Sequence, residues 1–307
     1  MVIFEDLHWI DSETQALLNL LVDAIANARI LLLVNYRPEY RHEWGSRTHY
    51  TQLRLDPLAT ESAKEMLSAL LGDEKELIPL KRLIIERTQG TPFFMEEMLQ
   101  ALFEEGVLQR NGKFKLARPV SEVKIPATVQ AVLASRIDRL SAPEKELLQT
   151  LAVLGREFSV SLVQRVTRKS DDELEQILTQ FQFGEFVNEQ PAVGQVEYSF
   201  KHALTQEVAY NSILAERRRA LHERAGRAIE ELYAERLEDH YGDLARHYLR
   251  GSDTAEAVQY ARLAAEQDVN RGSYAEASNL IEAGLSLIDR IPEGSDRLRA
   301  ELALRSI

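Results

Sequence analysis

Residues 1–11, MVIFEDLHWID, set a short apolar run, Val2 to Phe4, directly before two carboxylates, Glu5 and Asp6. A run that is apolar at every position, without alternation, is the pattern of a strand buried on both faces, as in a parallel sheet. Ile30 to Val34 is a second such run. Between them Leu17, Leu21, Ala24, Ile25 and Ala28 recur at helical spacing, and Ser12 with Gln15 offers a capping box for that helix. Strand, helix, strand over about 35 residues is a βαβ unit. Gln52 to Leu55, stopped by Asp56 and Pro57, is a candidate third strand.

Beyond this front the pattern turns helical. Thr60 to Leu71 and Leu77 to Thr88 carry apolar residues three and four apart, and QGTPFF then interrupts them, with Pro92 suited to the first turn of a helix through Phe103. VLQRNGKFKLA reads as a hairpin turning at Asn111-Gly112. From Pro126 onward, helices run through Arg139 and Leu154, the second opened by a capping box of Ser141 and Glu144. Helices near Ser161 to Thr167 and Ser170 to Phe181 follow, then two strands around a turn at Pro191 to Gly194. Three helices and a terminal hairpin predict a winged helix. After Thr205, DTAEAVQYARLAAEQ and SYAEASNLIEAGLSLI share an Ala-Glu-Ala start, and the pair is similar to one tetratricopeptide (TPR) unit. One unit alone would expose an apolar face, so the array is expected to continue past Ile307. The domains expected are 1–57, 58–125, 126–204 and 205–307, mostly α with an α/β front.

The net charge of −12 argues against a phosphate-gripping surface. Between Ser141 and Phe200 acidic residues outnumber basic ones ten to five, so the winged helix is expected to be structural or switching rather than DNA-binding. The basic cluster Arg217 to Arg219 reads as a solvated helix face. Without cysteine there is neither a disulfide nor a thiolate metal site. No apolar run is membrane length and no signal peptide is visible, which leaves cytoplasmic as the default expectation. His240 and His247 could share a helix face but have no third ligand.

Carboxylates at the carboxyl edge of a parallel sheet point into the crevice where ligands bind. Of Glu5 and Asp6, one could hold Mg²⁺ through water while the other orients or deprotonates an attacking water. Solvated loop residues are the plain alternative. Arg37, at the end of the second strand, could reach a γ-phosphate, the plain alternative being a surface ion pair. His8 and Trp9 read as packing and structural hydrogen bonding, Asp11 as helix cap or site contact, and Glu96 and Glu97 as decoration of a helix.

Taken together, VIFEDLHWID, ILLLVNYRPEY and QGTPFFMEEML resemble the STAND class of P-loop NTPases, specifically the ATPase arm attached to adenylate/guanylate cyclase domains and to some helix-turn-helix regulators. YSFKHALTQEVAYNSILAERRRALHERAGRAIE extends the resemblance over nearly the whole chain. It implies that the first segment is Walker B, with Glu5 in place of Asp and carrying Mg²⁺ through water, that Arg37 is sensor 1, and that Gly90 and Pro92 form the Gly-x-Pro element touching ATP from a helical lid. Effector and protein partners are implied, the latter through the repeats.

One departure stands out: no G-x-x-x-x-G-K-[ST] occurs. That loop supplies the amides and lysine that cradle phosphates. In the class its strand lies beside the sensor-1 strand, so Ile30 to Val34 should have an open edge and Gln52 to Leu55 should lack a neighbour. The sequence reading is therefore a truncated ATPase arm, inactive alone, with weak or absent ATP binding. The alternatives are a helical-repeat scaffold and the ATPase arm of a transcription regulator.

Overall fold

The computed structural model describes residues 1–111, 113–119, 126–190 and 196–307. Gly112 of the first expected turn, and the whole of the second at 191–194, lie outside the described residues. The chain divides into two compact units, Met1–Leu55 with Glu235–Ile307, and Asp56–Ala234. Helices dominate both, with three small sheets among the described residues.

In the first unit, β1 (Val2–Phe4) and β2 (Leu32–Val34) pair in parallel, Val2 opposite Leu32, Ile3 opposite Leu33 and Phe4 opposite Val34. Between them runs α1 (Ser12–Ala24), capped by Asp11, whose carboxylate accepts the Thr14 amide at 2.7 Å. The cap thus falls one residue before the expected Ser12. Leu18 and Val22 of α1 pack with Leu7 and Trp44, against Phe4, Leu32 and Val34. Leu17 is 63% exposed, so the buried stripe is turned by one position from the expected one.

Two further expectations fail here. The strands are not buried on both faces: Ile3 and Leu33 are about half exposed, 50% and 54%, because α1 covers only the face that carries Phe4, Leu32 and Val34. Gln52 to Leu55 forms no strand, and Leu53 and Leu55 stand in solvent. An extended segment becomes a strand only when another strand pairs with it, and among the described residues no strand does.

The same unit contains α11 (Tyr241–Tyr248), α12 (Thr254–Arg271), α13 (Tyr274–Leu285) and α14 (Ser295–Arg305). Small residues set the packing of this group. Ala257, Ala261, Ala264 and Ala265 are buried along α12, and Gly284 of α13 lies so near Leu304 that a Cβ would come within 3.0 Å of its Cδ1. Tyr248 of α11 stacks on Tyr260 of α12 at 5.4 Å between ring centroids.

The second unit opens with α2 (Thr60–Leu71), α3 (Ile78–Thr88) and α4 (Pro92–Glu104) around a core of Leu67, Leu80, Ile84, Met95 and Met98. The hairpin β3 (Leu108–Asn111) and β4 (Lys113–Leu116) follows, then α5 (Val129–Arg139). Next come α6 (Ala142–Leu154), β5 (Glu157–Ser159), α7 (Val160–Thr167), α8 (Asp171–Phe183), β6 (Val187–Gln190) and β7 (Glu197–Phe200), the strands forming an antiparallel sheet in the order β5-β7-β6. Reciprocal capping boxes at Ser141/Glu144 and Ser170/Glu173 start α6 and α8. The unit closes with α9 (Ala203–Asn211) and α10 (Ala215–Leu232), and Ala225 and Ala228 of α10 belong to the core built on Leu147, Leu151, Phe181 and Phe200. Residues 205–234 therefore fold with the three-stranded sheet.

Candidate functional site

Glu5 and Asp6 leave β1 at its carboxyl end, and the residue leaving β2 beside them is Asn35. Its backbone extends the strand pairing, the amide donating to the Phe4 carbonyl at 3.1 Å and the carbonyl accepting the Leu7 amide at 3.0 Å. Its side chain then closes on both acids: Oδ1 accepts the Asp6 amide at 2.7 Å, and Nδ2 donates to Glu5 Oε1 at 3.4 Å. Asp6 itself is in the left-handed region, φ 56° and ψ 42°, a conformation that a non-glycine residue holds only when its surroundings enforce it. Asn35 is that enforcement, and no motif pointed to it; the only signal was a polar residue directly after a buried-type strand.

Arg37, two residues on, is exposed, and its guanidinium lies over the Trp9 ring with Cζ 5.6 Å from the centroid. The structure thus brings Glu5 and Asp6 together through Asn35 and gives Arg37 an aromatic support rather than the ion pair of the plain reading. Trp9 is 57% exposed and also meets His8, ring centroids 4.6 Å apart. Both His8 ring nitrogens are buried with no hydrogen-bond partner among the described residues, contrary to the structural hydrogen bonding expected of it.

A network that sequence reasoning missed folds over α1 from residues 36–50. His42 Nδ1 accepts the Trp44 amide at 3.2 Å, which assigns the ring proton to Nε2, within reach of the Tyr36 hydroxyl at 2.8 Å and the Tyr50 hydroxyl at 3.2 Å. Those two hydroxyls are 2.7 Å apart, and Trp44 Nε1 donates to Asn19 of α1 at 2.8 Å. Burial, then the Tyr36 hydrogen bond, push the Tyr50 phenol up to about 12, and burial holds His42 below the usual histidine range. The density of Tyr, His and Trp in YRPEYRHEW was the available signal.

Gly90 and Pro92 belong to the second unit. Gly90 has φ +78°, and its carbonyl accepts the Leu58 amide at 2.8 Å; Pro92 is the first residue of α4. Next to it, Phe93 packs on His202 with ring centroids 4.2 Å apart. Glu97 corrects the expectation of a solvated carboxylate: it is 3% exposed and bonded to Arg136 of α5. Burial pushes its carboxyl up, against the pull of Arg136. Of the basic run, Arg217 pairs with Glu146 at 2.9 Å and Arg218 covers the Tyr210 ring.

The carboxylates of Asp11, Glu13 and Glu276 converge within 4.8 Å in the first unit. The Glu276 backbone draws its carboxyl down, but burial, a hydrogen bond with Glu13 and the charges of Glu13 and Asp11 push it above the ordinary range. Among the described residues, no helix is long and apolar enough to cross a membrane.

No protein-family model matches the chain. It is 26% identical over 296 residues to an uncharacterized protein of Rhizobium meliloti (strain 1021), covering 95% of this chain and 28% of that protein. Among solved structures it is similar to a STAND (signal transduction ATPase with numerous domains) protein with a tetratricopeptide repeat sensor from Pyrococcus horikoshii, at 12% identity and a TM-score of 0.48, over 99% of this chain and 52% of that one. The chain thus spans under a third of the curated relative and about half of the solved protein.

Proposed function

We propose that this chain is the regulatory arm of an ATP-dependent signalling switch of the STAND type, carrying the Walker B and sensor-1 ends of a nucleotide site whose phosphate loop it does not contain. The observation that carries the reading is the Asn35 clamp. Two acids and an arginine leave neighbouring parallel strands at the same end, with the acids tied down by the strand partner. Glu5 is exposed and, among the described residues, is met by an amide NH₂ at 3.4 Å on one oxygen, which fits a water-bridged Mg²⁺. Such an ion would neutralise phosphate charge. The roles of this chain's residues are then to hold ordered water at the Glu5 and Asp6 carboxylates and to present Arg37 to the terminal phosphate.

The helix, strand, helix, helix, hairpin order of 142–200 supports a winged helix, and the small-residue pairing of α12 with α13 supports a TPR-like sensor for protein partners. An adenylate/guanylate cyclase domain is the effector proposed. A scaffold reading has one observation in its favour: Leu298 and Leu302, one turn apart on α14, are 61% and 67% exposed, as a protein-binding face would be.

Reading the genomic frame upstream of codon 1 tests the proposal. An in-frame G-x-x-x-x-G-K-[ST] is the expected result. Stop codons, or micromolar Mg-ATP binding by this chain alone in calorimetry, would overturn it.

A further inference from the structure

Arg136 of α5 is among the largest fully buried side chains in the molecule. Its guanidinium bridges α4 and the end of α8. Nη1 donates to Glu97 and Nε to Glu104 (2.9 Å), both on α4, while Nη2 is shared between Glu104 (2.7 Å) and the Gly184 carbonyl at the end of α8. The Phe186 ring lies 4.5 Å from its Cζ. An apolar trio of similar volume would hold three helices together as well or better. What the ionic cluster adds is direction, since a planar fork of donors is satisfied by one register of its partners and not by neighbouring ones.

The partner on the α8 side is a strained turn. Glu185, between Gly184 and Phe186, is a non-glycine residue at φ 58°. Its carboxylate pairs with Lys201 at 3.0 Å, and the Phe186 amide donates back to the Phe181 carbonyl at 2.8 Å. Phe186 leads directly into β6, so the turn's geometry sets where the hairpin begins. Strain of this kind persists only where the surroundings over-determine it, and it clusters at elements that switch.

We propose that Arg136 is a latch coupling α4 to the α8–β6 turn, so that the position of the helix starting at Pro92 is passed to the three-stranded sheet. At its other end α4 touches the same region through Phe93 and His202. The coupling is a property of the chain itself and stands whether or not the nucleotide reading does.

Hydrogen exchange on the full chain with Glu104→Gln tests it. Glu104 bonds Arg136 and Arg139 and, among the described residues, makes no hydrogen bond or ion pair with the turn, and its side chain is 26% exposed, so the amide is tolerated. The expected result is exchange about tenfold faster at the Phe186 and β6 amides, with α2 and α3 within about twofold of wild type. Arg136→Lys, which keeps the charge and loses the fork, should do the same; if it fails to fold, Glu104→Gln decides alone. No change at the turn, or the same factor throughout the unit, overturns the latch.

Discussion

Leu58 and Gly90 meet backbone to backbone: the Leu58 amide donates to the Gly90 carbonyl at 2.8 Å, and the Leu58 carbonyl oxygen lies 2.1 Å from where a Cβ on Gly90 would stand. A side chain there would have to displace main chain and also hold φ +78°. Gly90→Ala is therefore expected to cost about 3 kcal/mol or more, while Pro92→Ala, at a first helical position, stays within about 1 kcal/mol. Urea unfolding of the two variants decides it, and a near-neutral Gly90→Ala would refute the packing account.

Asn35→Ala removes the acceptor for the Asp6 amide and the donor to Glu5. A loss of about 1–2 kcal/mol is expected. Asn35→Asp, which still accepts from Asp6 but faces Glu5 with a like charge, should recover part of that at low pH. Equal losses for both at every pH would show that the clamp does not act through these bonds.

The Tyr50 phenol, pushed up to about 12, should be among the last tyrosines to ionise in an alkaline spectrophotometric titration. Tyr50→Phe should remove a late step and leave the early ones in place. A titration curve with an unchanged late phase would place Tyr50 in solvent instead.

Burial, reinforced by Lys201, holds His202 below the usual histidine range. The unfolded chain then binds the proton more readily than the folded one, so this group's contribution is complete above about 6.5 and is lost as pH falls through the folded value. His202→Phe, which keeps a ring against Phe93, should flatten the fall in stability below about pH 6.5. Parallel curves for the two proteins would rule the effect out.

Glu276 has the opposite sign. A carboxyl raised in the folded state is penalised when ionised, so Glu276→Gln should raise the melting temperature at neutral pH by about 2 °C, and the gain should vanish near pH 4. A gain that persists in acid would point to a cause other than charge.

The βαβ front was legible because its apolar runs and helical spacing are local. What apolarity could not tell is whether anything covers a strand: Ile3 and Leu33 read like Phe4 and Val34, yet only the latter face α1. The α1 stripe slipped from Leu17 to Leu18 because two adjacent leucines leave the phase open. Glu97 reads as a surface residue in MEEM; its burial depends on Arg136 and, through it, on Gly184, partners that no local pattern contains. Asn35 gains its role from strand register alone. Of the candidate site residues, the acids and Arg37 were visible as strand-end chemistry, whereas the residues that hold or support them were not.

The outward pair Ile3 and Leu33 inverts the usual rule for reading substitutions. Replacing Ile3 by lysine removes little packing, since half of that side chain already meets water, and it breaks up a contiguous greasy surface. Scored by melting temperature the change would look almost silent; scored by the amount of protein that stays in solution, it would rank among the most beneficial in the molecule.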